Sequence, residues 1–300
     1  MLWFNKIVAF ILPLFPKSFI WIFSKKYISG KELEDAINAT KELNTLGCCA
    51  TIDVLGEEIE SLKEADQSRD ESIQVLEAIE KHKLDANLSI KPTSLGLRID
   101  KEACYKNIEA IVEKAKKLKN FVRIDMEDAT TTSDTLAMYK RLRKKYSNVG
   151  TVIQSYLMRS KDDVQDLIDN KVAHLRLCKG IYIESSKIAY KNKQKVRDNF
   201  MELAYMMLNS KSYIGLATHD KQLVDRSIQA LKETKADPKD YEFQMLLGVT
   251  EKMRASLVSQ GYKLRVYVPY GEQWYGYSMR RLKENPNMVG HIIKNLFIRG

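Results

Sequence analysis

From residue 49 onward, short runs of β-branched and apolar residues alternate with longer amphipathic stretches. The runs CATIDV (49–54), NLSIKP (87–92), FVRIDM (121–126), TVIQSY (151–156), AHLRLCK (173–179), YIGLATH (213–219), EFQMLL (242–247) and LRVYVPY (264–270) are of strand length and composition. Helical spacing predicts helices over 57–82, 102–118, 134–146, 161–169, 185–209, 221–235, 250–260 and from about 273, with a further helix over 31–46 before the first strand. Strict alternation of strand and helix predicts parallel βαβ units, and eight such units at this length predict a closed (βα)8 barrel. An open doubly wound sheet is the competing topology, but no G-x-G-x-x-G follows any of the strands. The chain is therefore divided into an N-terminal helical segment, 1–45, and a barrel, 46–300.

The first thirty residues break the pattern. Their apolar run from Ile7 to Phe15 is interrupted by Pro13 and ended by Pro16 and Lys17. It falls well short of the roughly 20 residues a spanning helix needs, and no small-x-small cleavage site follows it. Two roles fit aromatic helical pieces of this kind: capping the domain core or lying at a membrane interface. Composition adds little to the fold and more to the choice of partners. With 44% apolar and 29% charged residues among 300, disorder is excluded and a sizeable core is assured. The net charge of +10 is interleaved with 39 acidic residues along helical faces, without a nucleic-acid recognition motif. No nucleic-acid partner is expected; an anionic membrane surface suits the basic excess better. Cys48, Cys49, Cys104 and Cys178 have no metal-type spacing and form no disulfide framework, which points to a reducing compartment. The four histidines show no zincin spacing, so no metal site is expected.

Chemistry in a barrel of this kind gathers at the C-terminal ends of the strands. The residues closing the apolar runs are Asp53, Lys91, Asp125, Gln154, Arg176 with Lys179, His219, Gln244 and Tyr267. Each alone has an ordinary explanation as a cap, a solvated charge or a satisfied core residue; their recurrence at one rim points to a site. The rim reads as rich in cations and amides and poor in acids, a combination suited to an anionic ligand or an electron-rich reduced cofactor. No G-x-S-x-G elbow appears, and Cys178 lies within an apolar strand, so nucleophilic catalysis is not supported. On the last helix, Tyr277, Arg280, Arg281 and Glu284 share one face at i, i+3, i+4 and i+7. That stripe reads either as a solvated face with an ion pair or as a guanidinium clamp for a carboxylate.

Nine segments in order resemble one family. DVLGE (53–57), SIKPTSLG (89–96), RIDMED (123–128), VIQSYL (152–157), LRLCKGIY (175–182), ATHD (217–220), YEFQMLLG (241–248), RVYVPYG (265–271) and YSMRRLKEN (277–285) are similar to motifs of the proline dehydrogenases. The likeness is to the short monofunctional bacterial type, related to the dehydrogenase domain of the bifunctional proline utilization A proteins, and it covers roughly residues 45–290. It implies a distorted (βα)8 barrel holding flavin adenine dinucleotide (FAD). The reaction implied is oxidation of L-proline to 1-pyrroline-5-carboxylate, the first step of proline degradation to glutamate, with hydride transfer to flavin N5 and re-oxidation by a membrane quinone. A cytoplasmic protein at the inner face of the membrane would follow.

Carried residue by residue, the resemblance implies that Lys91, Arg280 and Arg281 clamp the substrate carboxylate, with Tyr277 packing on the ring. It assigns Tyr182, Leu246 and Tyr267 to other pocket walls and Glu57 to a gate paired with Arg280. Asp125 and Arg176 match active-site groups. Met126, Gln154, Arg176, Lys179, Gly180, Ile181, Thr218, His219 and Glu284 match cofactor-binding positions. Where many relatives carry alanine and an aromatic residue, this chain has Ile181 and Ile183, which alters pocket volume and adenine stacking. The rival readings are another flavin barrel resembling methylenetetrahydrofolate reductase and a non-enzymatic, membrane-associated binding protein.

Overall fold

The computed structural model describes residues 17–56 and 59–284; the side chains of 18, 19, 22, 23 and 280–284 lie outside that description. Eight parallel strands close into a barrel in sequence order: β1 (Cys49–Val54), β2 (Ala86–Ile90), β3 (Val122–Ile124), β4 (Val149–Gln154), β5 (His174–Cys178), β6 (Tyr213–Ala217), β7 (Tyr241–Leu246) and β8 (Leu264–Tyr270). Closure is made by β8 on β1, in a register that pairs Ala50 with Val266 and Asp53 with Pro269. Two helices precede the barrel, α1 (Lys17–Ser24) and α2 (Leu33–Thr45). The strands are then followed in turn by α3 (Leu62–Lys81), α4 (Lys101–Lys117), α5 (Thr132–Arg143), α6 (Ser160–Asp169), α7 (Lys193–Asn209), α8 (Lys221–Glu233), α9 (Glu251–Ser259) and α10 (Trp274–Glu284).

The period of two in each strand divides the molecule into an apolar and a polar compartment. One set of alternate residues, including Ile52, Leu88, Ile124, Leu175, Leu216, Phe243 and Val266, is buried against the helices in one continuous core. The other set faces the barrel axis and is largely polar: Thr51 and Asp53, Ser89 and Lys91, Arg123, Gln154, Arg176, Glu242 and Gln244, and Arg265, all buried. Such an interior costs desolvation unless every charge is paired, and pairing accordingly runs through the whole barrel.

Two helix starts differ from expectation. α3 begins at Leu62 rather than 57 because Ser61 caps it, accepting from the Glu64 amide at 3.3 Å while donating its hydroxyl to the Glu64 carboxylate at 2.7 Å. α7 begins at Lys193 rather than 185 because Asn192 accepts from the amides of Gln194 and Lys195. Residues 179–192 form instead a loop, fastened to β4's end by an antiparallel bridge between Leu157 and Ala189 and by the Tyr190 amide on the Tyr156 carbonyl at 2.8 Å.

Residues 17–30 pack on the last strand and helix. Ile20, Tyr27 and Ile28 are buried with Leu55, Trp274 and Tyr277, and the rings of Trp21 and Trp274 sit 4.6 Å apart. The Ser29 amide donates to the Pro269 carbonyl and the Gly271 amide to that of Gly30. The apolar run Ile7–Phe15 lies outside the described residues. Among the described residues no helix is long and apolar enough to cross a membrane.

Candidate active site

A cavity of about 500 Å³ opens at the C-terminal end of the strands. Ile90, Ile124 and Leu177 face the helix layer, so the period of two aims Lys91, Asp125, Arg176 and Cys178 into the barrel mouth. Lys91 directly follows β2 and is held by Asp53 of β1, with Nζ 2.6 Å from each carboxylate oxygen. Asp125, one residue past β3, is fixed there by its amide on the Ile90 carbonyl at 2.8 Å. Its Oδ1 accepts from the Arg176 guanidinium and from Ser89 Oγ at 2.6 Å, and its Oδ2 accepts from the Tyr267 hydroxyl at 2.8 Å. Arg176 lies over the Tyr267 ring, 5.3 Å from its centroid.

These contacts set the protonation states. Burial works against the Arg176 cation, but Asp125 beside it more than offsets this and raises its pKa. Burial, reinforced by Asp125, lifts the Tyr267 phenol well above its usual range, so it stays protonated and donates to that carboxylate. Burial also pushes the Cys178 thiol up to about 11. Cys178 therefore remains a neutral wall of the cavity, at the end of β5 rather than inside the strand, and a thiolate nucleophile has no support.

The remaining wall places most of the expected ligand-binding positions. Met126 and Gln154 line one side, Gly180, Ile181 and Tyr182 another, and Thr218, His219 and Leu246 a third. Gln154 donates through Nε2 to the carbonyls of Met126 and Glu127, which leaves its buried Oε1 without a hydrogen-bond partner among the described residues. His219 Nε2 accepts the Leu246 amide at 2.8 Å, which puts the ring proton on Nδ1. Gly180 has φ +98°, and a Cβ there would lie 2.2 Å from the Tyr156 ring. The close approach this glycine permits is thus made first by the protein's own tyrosine. Lys179 reaches Asp220 at 3.2 Å, and Arg197 reaches the same oxygen at 2.8 Å. Burial opposes the Asp220 charge, but these two cations hold its carboxyl below the usual range.

Tyr277 of α10 also lines the cavity and is buried. Arg280, Arg281 and Glu284 follow it on the same helix, with side chains outside the described residues, as is Glu57. One expectation is corrected: the rim is not poor in acids. Lys91, Arg176 and Lys179 each have a carboxylate partner, Asp53, Asp125 and Asp220, and Glu127, buried and bonded to the Thr93 amide and hydroxyl, lines the cavity too. Ser89, Asp220 and Glu127 were missed as site residues. Asp220 carried a readable signal, standing beside His219 at the start of a helix that it caps. No group of metal-ligating residues occurs among the described residues.

A closed parallel barrel with buried ionisable side chains converging on a cavity at the strand C-termini defines a (βα)8 barrel of the enzyme class. Comparison narrows this. The sequence profile described as proline dehydrogenase matches residues 36–293, and the chain belongs to that family. It is 41% identical over 271 residues to proline dehydrogenase 2 of Bacillus subtilis (strain 168), covering 90% of this chain and 89% of that one. It is 32% identical over 282 residues to the proline dehydrogenase of Deinococcus radiodurans, covering 92% and 91%. Among solved structures, proline utilization A from Bdellovibrio bacteriovorus inactivated by N-propargylglycine superposes with a TM-score of 0.81 at 25% identity. That match takes in 87% of this chain but 32% of the larger protein.

Proposed function

We propose that the protein oxidises L-proline to 1-pyrroline-5-carboxylate with a bound FAD and passes the electrons to a quinone. The observation that carries this reading is the set of paired charges around one cavity, Lys91–Asp53 and Arg176–Asp125–Tyr267, in a chain matched over its length by proline dehydrogenases. The residues suit a flavin ring. Gln154 Oε1 is a buried acceptor in need of an N–H donor, Met126, Val152 and Leu246 give apolar walls, and Arg176 and Lys179 would favour a reduced ring of negative charge. Bound there, FAD supplies the hydride acceptor.

The protein's own part is binding, orientation and electrostatics. Lys91, with Arg280 and Arg281 of α10, would hold the substrate carboxylate, and Tyr277, Tyr182 and Leu246 would enclose the ring. The protonated Tyr267 and the Asp125–Arg176 pair keep the opposite wall rigid and dry. Glu57 and Arg280 would gate the entrance. Access of a lipid-soluble acceptor would be served by attachment to the inner face of a membrane through the basic surface and the aromatic N-terminus.

The test is anaerobic mixing of the yellow holoprotein with L-proline. Loss of the oxidised flavin absorbance is expected, with recovery on adding a quinone. Bleaching by a reduced nicotinamide but not by proline would transfer the chain to another kind of flavin barrel, and absence of any bound flavin would end the enzymatic reading.

A further inference from the structure

Asp53 stands apart from the other carboxylates of the mouth. Glu127, Asp125 and Asp220 line the cavity, whereas Asp53 is 1% exposed and sits behind Lys91, which does line it. The two carboxylate oxygens lie at equal distances of 2.6 Å from Nζ, so the ammonium is chelated rather than touched. A lysine head rides on a flexible four-carbon stem, and burial penalises its charge. One neighbour placed this way answers both problems. Lys91 also borders a second cavity of about 120 Å³ on its other side, toward α3, where Glu64 and Glu71 are the charged groups. The described ionisable groups sharing its main cavity are Asp125 and Glu127 after β3, Arg176 and Cys178 on β5, Lys179 and Tyr182 in the loop that follows, His219 and Asp220 after β6, Tyr267 on β8 and Tyr277 on α10.

We propose that Asp53 is a positioning residue for substrate capture: it holds Lys91 at the cavity wall as a permanently charged, immobile donor for the carboxylate of the incoming amino acid. The role rests on reading this cavity as the L-proline site. Asp53 does not line the cavity and grips Lys91 with both oxygens, so its removal has a signature that a Lys91→Met background separates from the field Asp53 also exerts on Arg176 and Tyr267. Asp53→Asn keeps the shape and deletes the charge, leaving a buried ammonium that gives up its proton at lower pH than before.

The experiment follows binding of a non-oxidisable five-membered-ring carboxylate to the holoprotein, through the perturbation of the flavin spectrum, from about pH 6 to about pH 10. In parallel, kcat and KM for L-proline are measured. The wild type should show no lysine ionisation in Kd over this range. In Asp53→Asn, Kd and KM should rise on the alkaline side, by about tenfold per pH unit beyond the new ionisation, with kcat changed far less. In a Lys91→Met background the same substitution should add nothing to Kd. A Kd in Asp53→Asn as pH-independent as the wild type's would overturn the proposal, and so would an equal loss with or without Lys91. Should Asp53→Asn lose flavin or fail to fold, Asp53→Glu decides: it must keep the wild-type profile, and a new alkaline limb there would refute the role. If proline fails to bleach the wild-type flavin, the functional reading falls, while the binding series, which needs no turnover, still judges Asp53.

Discussion

Two clusters of buried charge are stacked along the barrel axis, built from the same residue types and finished in different ways. At the floor, Arg265 binds Glu242 at 2.6 Å and the Ala50 carbonyl at 2.6 Å, and Gln244 donates to the same Glu242 oxygen at 2.8 Å. Arg123 there donates to the carbonyls of Thr151 and His174. At the mouth, Arg176 and Lys91 are satisfied by side-chain carboxylates, and Gln154 leaves an acceptor open beside them. Guanidinium donors spent on main-chain carbonyls are spent for good, since the barrel ladder fixes those oxygens. Donors shared with side chains on a cavity can be shared again with a ligand's anion. Burial and pairing of charge therefore do not locate the site, since Arg265–Glu242 is also a guanidinium–carboxylate pair; at the floor a main-chain carbonyl anchors that guanidinium as well, whereas the mouth's pairs border the cavity at the strand C-termini. Cavity size does not locate it either. A larger depression, about 830 Å³, lies at the floor end among Lys83, Lys116 and Lys119, solvated residues at helix ends.

The comparison is broken most severely at Glu242. Glu242→Ala leaves Arg265 buried without its counter-ion and should cost about 3–5 kcal/mol of stability, read from urea unfolding. Burial opposes the Glu242 charge, yet Arg265 outweighs it and holds the carboxyl down at about 2. Its contribution is present above the ordinary carboxylate range and is lost as pH falls toward about 2, so the wild type should weaken over that acid window and the variant should not. An equal acid slope in both would place the stabilisation elsewhere. The matching change at the mouth, Arg176→Met, should spare folding more, because Asp125 keeps Ser89 and Tyr267 as donors. Its effect should fall on flavin reduction by proline, by roughly 10- to 150-fold, the worth of one charge-assisted hydrogen bond. A stability loss as large as that of Glu242→Ala, with reduction intact, would make the mouth a second floor.

All eight strands were legible because each couples an apolar alternation facing helices with polar residues on the other phase, as in RIDM and LRLC. Helix ends were harder to read. α3, α4, α6, α7 and α8 each terminate in a lysine of left-handed conformation, Lys83, Lys119, Lys171, Lys211 and Lys235, where glycine is the usual mark. The rim positions could be picked out one by one, since each closes a strand. Their pairing could not. Asp53 and Lys91 are 38 residues apart on neighbouring strands, Asp125 and Arg176 are 51 apart with β4 between them, and only the barrel register and the inward phase bring each pair together. That is why Asp53, Asp125 and the cations are legible as single rim positions while the ion pairs they form are not.

A smaller effect tests how far the mouth's geometry depends on backbone rather than charge. Gly180→Ala sets a methyl group 2.2 Å from the Tyr156 ring at φ +98°, so the ring or the loop must shift, and it should cost at least about 1–2 kcal/mol, the usual penalty of a left-handed residue with a side chain. Gly180 lines the cavity and is backed by the Tyr156 ring, so flavin content on purification should fall along with stability. An alanine variant with normal flavin content and an unchanged urea midpoint would show that the loop after β5 can shift without loss to the site.

The smallest expected effect belongs to His174 and separates floor from mouth by pH. The ring is stacked on Tyr213 at 4.1 Å, and its Nδ1 lies 3.3 Å from an Arg123 nitrogen that can only donate. Burial, and then the neighbouring Arg123, depress its pKa well below the usual value, so the folded protein keeps it neutral. The unfolded chain takes up a proton below about pH 6.5 and the native chain does not, so stability is full above that pH and declines as pH falls. One such group accounts for about 1 kcal/mol between pH 6 and pH 5. His174→Asn retains an oxygen acceptor for Arg123 and removes the titration. Its urea midpoint should therefore fall less than the wild type's across that interval, while proline binding at the mouth keeps its own pH dependence. Parallel declines in the two proteins would mean that the ring is protonated in the native state, and that the floor, like the mouth, tolerates a change of charge.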